Sequence, residues 1–144
     1  MKKLSIFFVS VLALGLTTVS CSSDDDKASI EGKWEAYQDG TIVDGKEQLT
    51  PITNEGGCSK GFLEIQEGGK VIDHYSEYSN SKCEEYNDIG TWTKTDNKIT
   101  FKYGDDSGDT GEILVLDKNT LKIKYTYTRE NDASEIYIIE LKRK

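Results

Sequence analysis

The sequence predicts an all-β domain, an antiparallel eight-stranded up-and-down barrel. Three observations carry this. Short runs from Ile30 onward alternate apolar and polar residues with period two, helical periodicity is missing over the same stretch, and turn-forming clusters separate the runs at regular spacing. In the clearest run Leu121, Ile123, Tyr125 and Tyr127 point one way, and Lys122, Lys124, Thr126 and Thr128 the other. Ile99, Phe101 and Tyr103 alternate with Thr100 and Lys102; Tyr137, Ile139 and Leu141 alternate with Ile138, Glu140 and Lys142. Half-buried strands of this kind belong to antiparallel sheets with one face in solvent. Successive hairpin-linked strands lose their open edges by closing into a barrel.

Three segments are expected in chain order. Residues 1–20 are an export signal: Met1-Lys2-Lys3 is basic, and the apolar stretch Leu4 to Leu16 is shorter than the ~20 residues a membrane-spanning helix needs. Thr18-Val19-Ser20-Cys21 resembles the lipobox of bacterial lipoproteins, which implies lipidation of Cys21 and cleavage just before it. The preferred Leu three residues before the cysteine is Thr18 here. Residues 21–29 form an acidic tether of at most ~28 Å. Ser23-Asp24-Asp25-Asp26 reads as a solvated spacer, and it also resembles a signal that sends some Gram-negative lipoproteins to the cell surface. The expected address is the outer membrane, lipid-anchored, with the domain on the cell surface.

The domain spans residues 30–144, with strands expected at Ile30–Tyr37, Gly61–Gln66, Lys70–Tyr78, Ile89–Lys94, Lys98–Tyr103, Glu112–Leu116, Thr120–Thr128 and Ser134–Lys142. The turns between them fall at Glu67-Gly68-Gly69, Thr95-Asp96-Asn97, Gly104–Gly111, Asp117-Lys118-Asn119 and Arg129–Ala133. Gln38–Lys60, which holds the only proline, reads as a long loop over one end, with at most a short strand at Thr41–Val43.

The chain has 18 basic and 26 acidic residues; without Lys2 and Lys3 the basic count is 16. Such an acidic surface argues against nucleic acid as a partner. Export places Cys58 and Cys83 where disulfides persist. If Glu67 faces Lys70, Cys58 falls opposite about Ser79, and Cys83 lies a little further on, in the loop at the same end. A bond between them stabilises the fold by roughly 3 kcal/mol. Two cysteines without neighbouring histidines are poor zinc ligands.

Gly32-Lys33-Trp34 opens the first strand, where a tryptophan serves as a core plug. The run is similar to the Gly-x-Trp signature of lipocalins. With the Cys58/Cys83 pair, Gly90-Thr91-Trp92, Asn97-Lys98-Ile99-Thr100-Phe101 and the late strands to Lys144, the chain resembles the lipocalin-like domains of Gram-negative lipoproteins. The resemblance covers Ile30 to Lys144 and implies a fold more than a ligand. It implies that Trp34 closes the barrel floor. In lipocalins a late basic residue packs over that tryptophan. Arg143 is the nearest candidate, but its context departs from the family pattern and the role is not assigned to it.

No catalytic residues are expected. His74 is the only histidine, and the chain lacks a Gly-x-Ser-x-Gly elbow, a His-Glu-x-x-His pair and a phosphate loop. No cofactor is expected either. Asp105, Ser107 and Asp109 have the odd spacing of a calcium loop, but Thr110 stands in place of the turn glycine and Leu116 in place of the bidentate glutamate, so no metal is assigned. Tyr75, Phe101, Tyr103, Tyr125 and Tyr127 are the candidate ligand-binding residues: turned inward, they offer apolar faces and hydroxyls to one small ligand. The same rings could simply fill a small barrel. Two functions follow from the alternatives. A barrel with a cavity binds a small, partly apolar ligand; a filled one acts as an interaction module for an envelope protein, with Gln38–Lys60 as the contact surface.

Overall fold

The computed structural model describes residues 28–128 and 134–144. The expected export signal, Cys21 and nearly all of the tether lie outside the described residues. Nine strands follow one another: β1 (Gly32–Val43), β2 (Lys46–Pro51), β3 (Phe62–Gln66), β4 (Lys70–Ser79), β5 (Lys82–Thr95), β6 (Lys98–Tyr103), β7 (Asp109–Leu116), β8 (Thr120–Thr128) and β9 (Ser134–Arg143). Every pairing is antiparallel. Strand β1 pairs with β3 on one side and β9 on the other, so β1 and β3 to β9 close an eight-stranded barrel. Strand β2 pairs with β1 alone and is extra to the ring.

Three local expectations are corrected. First, Gln38–Lys60 is not mainly loop. Strand β1 runs on to Val43, turns through Asp44-Gly45 (φ 50° and 74°) and returns as β2. Two left-handed residues are what a tight hairpin turn requires. Gly40, which reads as a loop residue, lies mid-strand at a position that excludes a side chain, since a Cβ there would sit 1.9 Å from the Gln48 carbonyl oxygen. Second, Cys83 is not in a loop. Asn80-Ser81 (φ 50° and 64°) make a tight turn, and β5 begins at Lys82. Third, β3 and β4 pair as Gln66 with Lys70, one residue from the expected register.

The segment before β3 then folds across the end of β4. A 3-10 turn covers Glu55–Gly57, and a side chain on Gly56 would run into the Tyr78 ring, 2.2 Å from its Cβ. Cys83 faces Tyr78 across the ladder, and Cys58 forms a disulfide with Cys83 (Cα–Cα 5.6 Å). Closing a loop of that length stabilises the fold by roughly 3 kcal/mol.

The core lies at one end of the barrel. Trp34, Ile65, Val71, Ile99, Leu121 and Ile123 are all buried there, with Ile30 and Leu141 against them. The Trp34 indole N–H donates to the Ile30 carbonyl (2.6 Å). Arg143 pairs with Trp34 in the β1–β9 ladder, and its guanidinium lies 3.8 Å from the indole centroid. Its Nη1 donates to the Glu31 carbonyl (2.6 Å) and its Nη2 to the Ser29 carbonyl (2.7 Å). The role left unassigned from sequence thus belongs to Arg143. Gly32 has φ 128°, and a Cβ on it would lie 2.3 Å from Arg143 Nη1. The Gly-x-Trp spacing therefore leaves room for the arginine that covers the ring. Arg143→Lys keeps the charge but loses the planar fork, and is expected to lower unfolding free energy by roughly 1–2 kcal/mol in urea titrations.

Candidate ligand-binding site

Above this filled end the barrel holds a cavity of about 240 Å³. Strand alternation sets its walls. Ala36 follows Trp34 on the inner face of β1, Asp73 follows Val71 on β4, Phe101 and Tyr103 follow Ile99 on β6, and Tyr125 follows Ile123 on β8. Leu63, Ile139, Leu141 and Asp109 complete much of the lining. Two glycines shape the space. A Cβ on Gly90 would lie 2.7 Å from the Tyr103 ring, and one on Gly111 would lie 2.3 Å from Ile123 and 3.0 Å from the Tyr125 ring. Both tyrosines can therefore lie against the sheet and leave the centre open.

The β1–β9 ladder slips between Ala36 and Gln38, a bulge that leaves Tyr37 unpaired with β9. The slip changes which side chains of β1 face inward. Gln38 and Glu140 pair on the outer face and share a hydrogen bond (3.2 Å). Asp39 turns inward and accepts a hydrogen bond from the Tyr137 hydroxyl (2.9 Å). On the outside the β1–β2 hairpin curls toward β8, so Lys122 bridges Glu47 (2.8 Å) and Glu140 (3.3 Å) and buries Glu140 with a counter-charge.

Among the expected ligand residues, Phe101, Tyr103 and Tyr125 line the cavity. Tyr127 stands at the rim, 43% exposed, stacked on Tyr125 (6.1 Å). Tyr75 lies higher, stacked on Tyr86 (5.6 Å) where β4 and β5 run on beyond β3 and β6 as a two-stranded arm. Neither Tyr75 nor Tyr127 is in the cavity wall. Asp73 and Asp109 are, and the aromatic pattern of the sequence does not point to them. The alternation Val71, Asp73, Tyr75 carries the signal for Asp73: a carboxylate between two inward residues.

Burial pushes the phenols of Tyr103, Tyr125 and Tyr137 well up from the ordinary tyrosine range; nearby carboxylates add to the effect, as does the hydrogen bond to Asp39 for Tyr137. Burial also raises the Asp73 carboxyl, with Asp88 adding and His74 opposing. His74 itself points outward and stacks on Phe62 (4.2 Å). Its Nε2 is 3.6 Å from Glu64, too far for a hydrogen bond, and has no other partner among the described residues. Asp109 pairs with Phe101 at the start of β7, and no group of His, Cys, Asp or Glu among the described residues is placed to hold a metal.

Residues 30–123 match the sequence profile of the lipocalin-like domain. The chain belongs to that family. Comparison with curated proteins gives no match. Among solved structures the lipocalin-like barrel is similar to a lipocalin-like protein from Bacteroides uniformis (13% identity, TM-score 0.54, covering 79% of this chain and 97% of that one). It is also similar to an uncharacterized protein from Bacteroides eggerthii (12% identity, TM-score 0.55, 81% and 100%). Lobster apocrustacyanin A1 shares the fold at 11% identity and TM-score 0.51, covering 79% of this chain and 60% of that one. At these identities the likeness is one of fold.

The raised tyrosines make a testable prediction. Above pH ~10 the unfolded chain releases phenol protons that the folded barrel keeps, so fewer protons are bound on unfolding and stability falls as pH rises. Absorbance titration is expected to show Tyr103, Tyr125 and Tyr137 ionising only as the barrel unfolds. Ionisation of every tyrosine near pH 10 with the fold intact would contradict this placement.

Proposed function

We propose that this protein is a lipid-anchored envelope protein whose lipocalin-like barrel reversibly holds one small, partly apolar molecule. The observation that carries the reading is the cavity of about 240 Å³, walled by Ala36, Leu63, Phe101, Tyr125 and Ile139 above a filled floor. It is a little smaller than the ~300–1,000 Å³ of common ligand pockets, which suits a compact ligand. Capture needs no covalent chemistry, and the reading is not enzymatic. An interaction module with a filled barrel fits less well, because the barrel centre is open and Gln38–Lys60 is largely a hairpin.

The proposed address rests on the sequence: the export segment, the lipobox-like Thr18-Val19-Ser20-Cys21 and the acidic Asp24-Asp25-Asp26. Lipidation of Cys21 would hold the barrel at the outer membrane, on the cell-surface side. Among the described residues no helix is long and apolar enough to cross a membrane.

Native mass spectrometry of the protein taken from its own envelope tests both halves. The expected result is a mass carrying a lipid modification on Cys21 plus a small molecule that denaturation releases. Ile139→Trp, which fills the cavity, is expected to abolish the released component and leave the lipid in place. Identical native and denatured masses would sink ligand binding, and an unmodified Cys21 would sink the anchor.

A further inference from the structure

We propose that the cavity selects an organic cation, an ammonium group carried on a compact apolar or aromatic body; this deepens the ligand-binding reading and rests on it. The cavity lining contains two carboxylates, half-buried Asp73 and exposed Asp109, and no lysine, arginine or histidine. The inner face around it continues the pattern: Asp39 is held by the Tyr137 hydroxyl, and Asp88, opposite Asp73 in the β4–β5 ladder, interacts with the Tyr75 hydroxyl. These carboxylates meet phenols rather than cations.

Asp73 decides the argument. It sits in an apolar wall beside Leu63 of β3, its partner in the ladder, and no hydrogen bond or ion pair to its carboxylate occurs among the described residues. A carboxylate partly withdrawn from water gains from a counter-charge placed beside it. Partial burial and Asp88 raise its proton affinity, and His74 offsets part of that. Elsewhere in the same barrel the chain neutralises its buried acid: Glu140 has Lys122 and Lys142. At half-buried Asp73 no cation of the described residues forms an ion pair with the carboxylate, and a bound ammonium would supply one.

The rest of the wall suits such a charge. Phe101, Tyr103 and Tyr125 line the same space, and aromatic faces attract cations by ~0.5–2 kcal/mol. The apolar body is accommodated by Ala36, Leu63 and Ile139. A bare metal ion fits less well, because the described residues do not gather the oxygen ligands it needs. The chain's net charge of −8 concentrates cations near the mouth and repels anions such as fatty-acid carboxylates.

Calorimetry on the full chain at neutral pH tests this with three probes of one shape: 2-phenylethylammonium, 2-phenylethanol and phenylacetate. The ammonium is expected to bind about tenfold more tightly than the alcohol, and phenylacetate not at all. Asp73→Asn is expected to remove most of that preference, leave the alcohol's affinity nearly unchanged and keep the melting temperature of the unliganded protein at or slightly above that of the parent. A cooperative melt at that temperature also shows that the variant is folded. Alcohol or phenylacetate binding as tightly as the ammonium would overturn the cation reading and leave the ligand cavity standing. Failure of all three to bind would overturn both. A preference that survives in Asp73→Asn and in Asp109→Asn alike would also overturn it.

Discussion

The closure of this barrel depends on one contact, the stacking of Arg143 on Trp34. The two residues are partners in the β1–β9 ladder, the pairing that turns an open sheet into a ring. The arginine also ties down the start of the domain, because its guanidinium binds the carbonyls of Ser29 and Glu31, the latter 112 residues away in sequence. A contact of such separation forms only after much chain entropy has been lost, which makes barrel closure a late and cooperative event. The contact also fills one end of the barrel. Trp34 is fully buried, its N–H satisfied by Ile30, and aliphatic side chains from five other strands pack around it.

With one end filled, the inner face changes character along the barrel. Strand β8 reads Leu121, Ile123, Tyr125, Tyr127 on its inner side; β6 reads Ile99, Phe101, Tyr103; β4 reads Val71, Asp73, Tyr75. Antiparallel registers bring the aliphatic ends of these series together over Trp34 and the polar ends together at the mouth. The gradient is written in each strand separately, and the register turns it into a cavity with an apolar base and an acidic, phenolic upper wall. Glycines at Gly90 and Gly111 keep the upper part from filling.

Much of this was legible in the sequence. The alternation from Leu121 to Thr128, the turn at Glu67-Gly68-Gly69 and the Gly32-x-Trp34 run all read directly, because period two and turn chemistry are local properties. The β1–β2 hairpin was not legible: Gln38-Asp39-Gly40 looks like loop, and the strand takes a glycine at Gly40 only because Gln48 passes against it. The bulge at Tyr37 hid Asp39 for a related reason, since a ladder slip shifts the inward face without changing composition. Asn80-Ser81 lacks the glycine that flags a tight hairpin, so the first half of β5, Cys83 included, reads as loop in the sequence. Arg143 could not be assigned because its role depends on a partner at the far end of the chain. The cavity's carboxylates do not stand out in the sequence because acidic residues are common in this chain, and only the inward register separates Asp73 from the solvated majority.

The most direct test of the account is the exchange rate of the Trp34 indole proton, followed by NMR beside that of Trp92. The chain has only these two tryptophans. If Arg143 seals a filled floor, the Trp34 indole proton exchanges only when the whole barrel unfolds, with a free energy equal to that of global unfolding. Trp92, half-buried with its indole N–H on the Gln66 carbonyl, is then expected to exchange no more slowly than Trp34. Exchange of the Trp34 proton through a local opening, well below the global free energy, would mean that the floor is not closed.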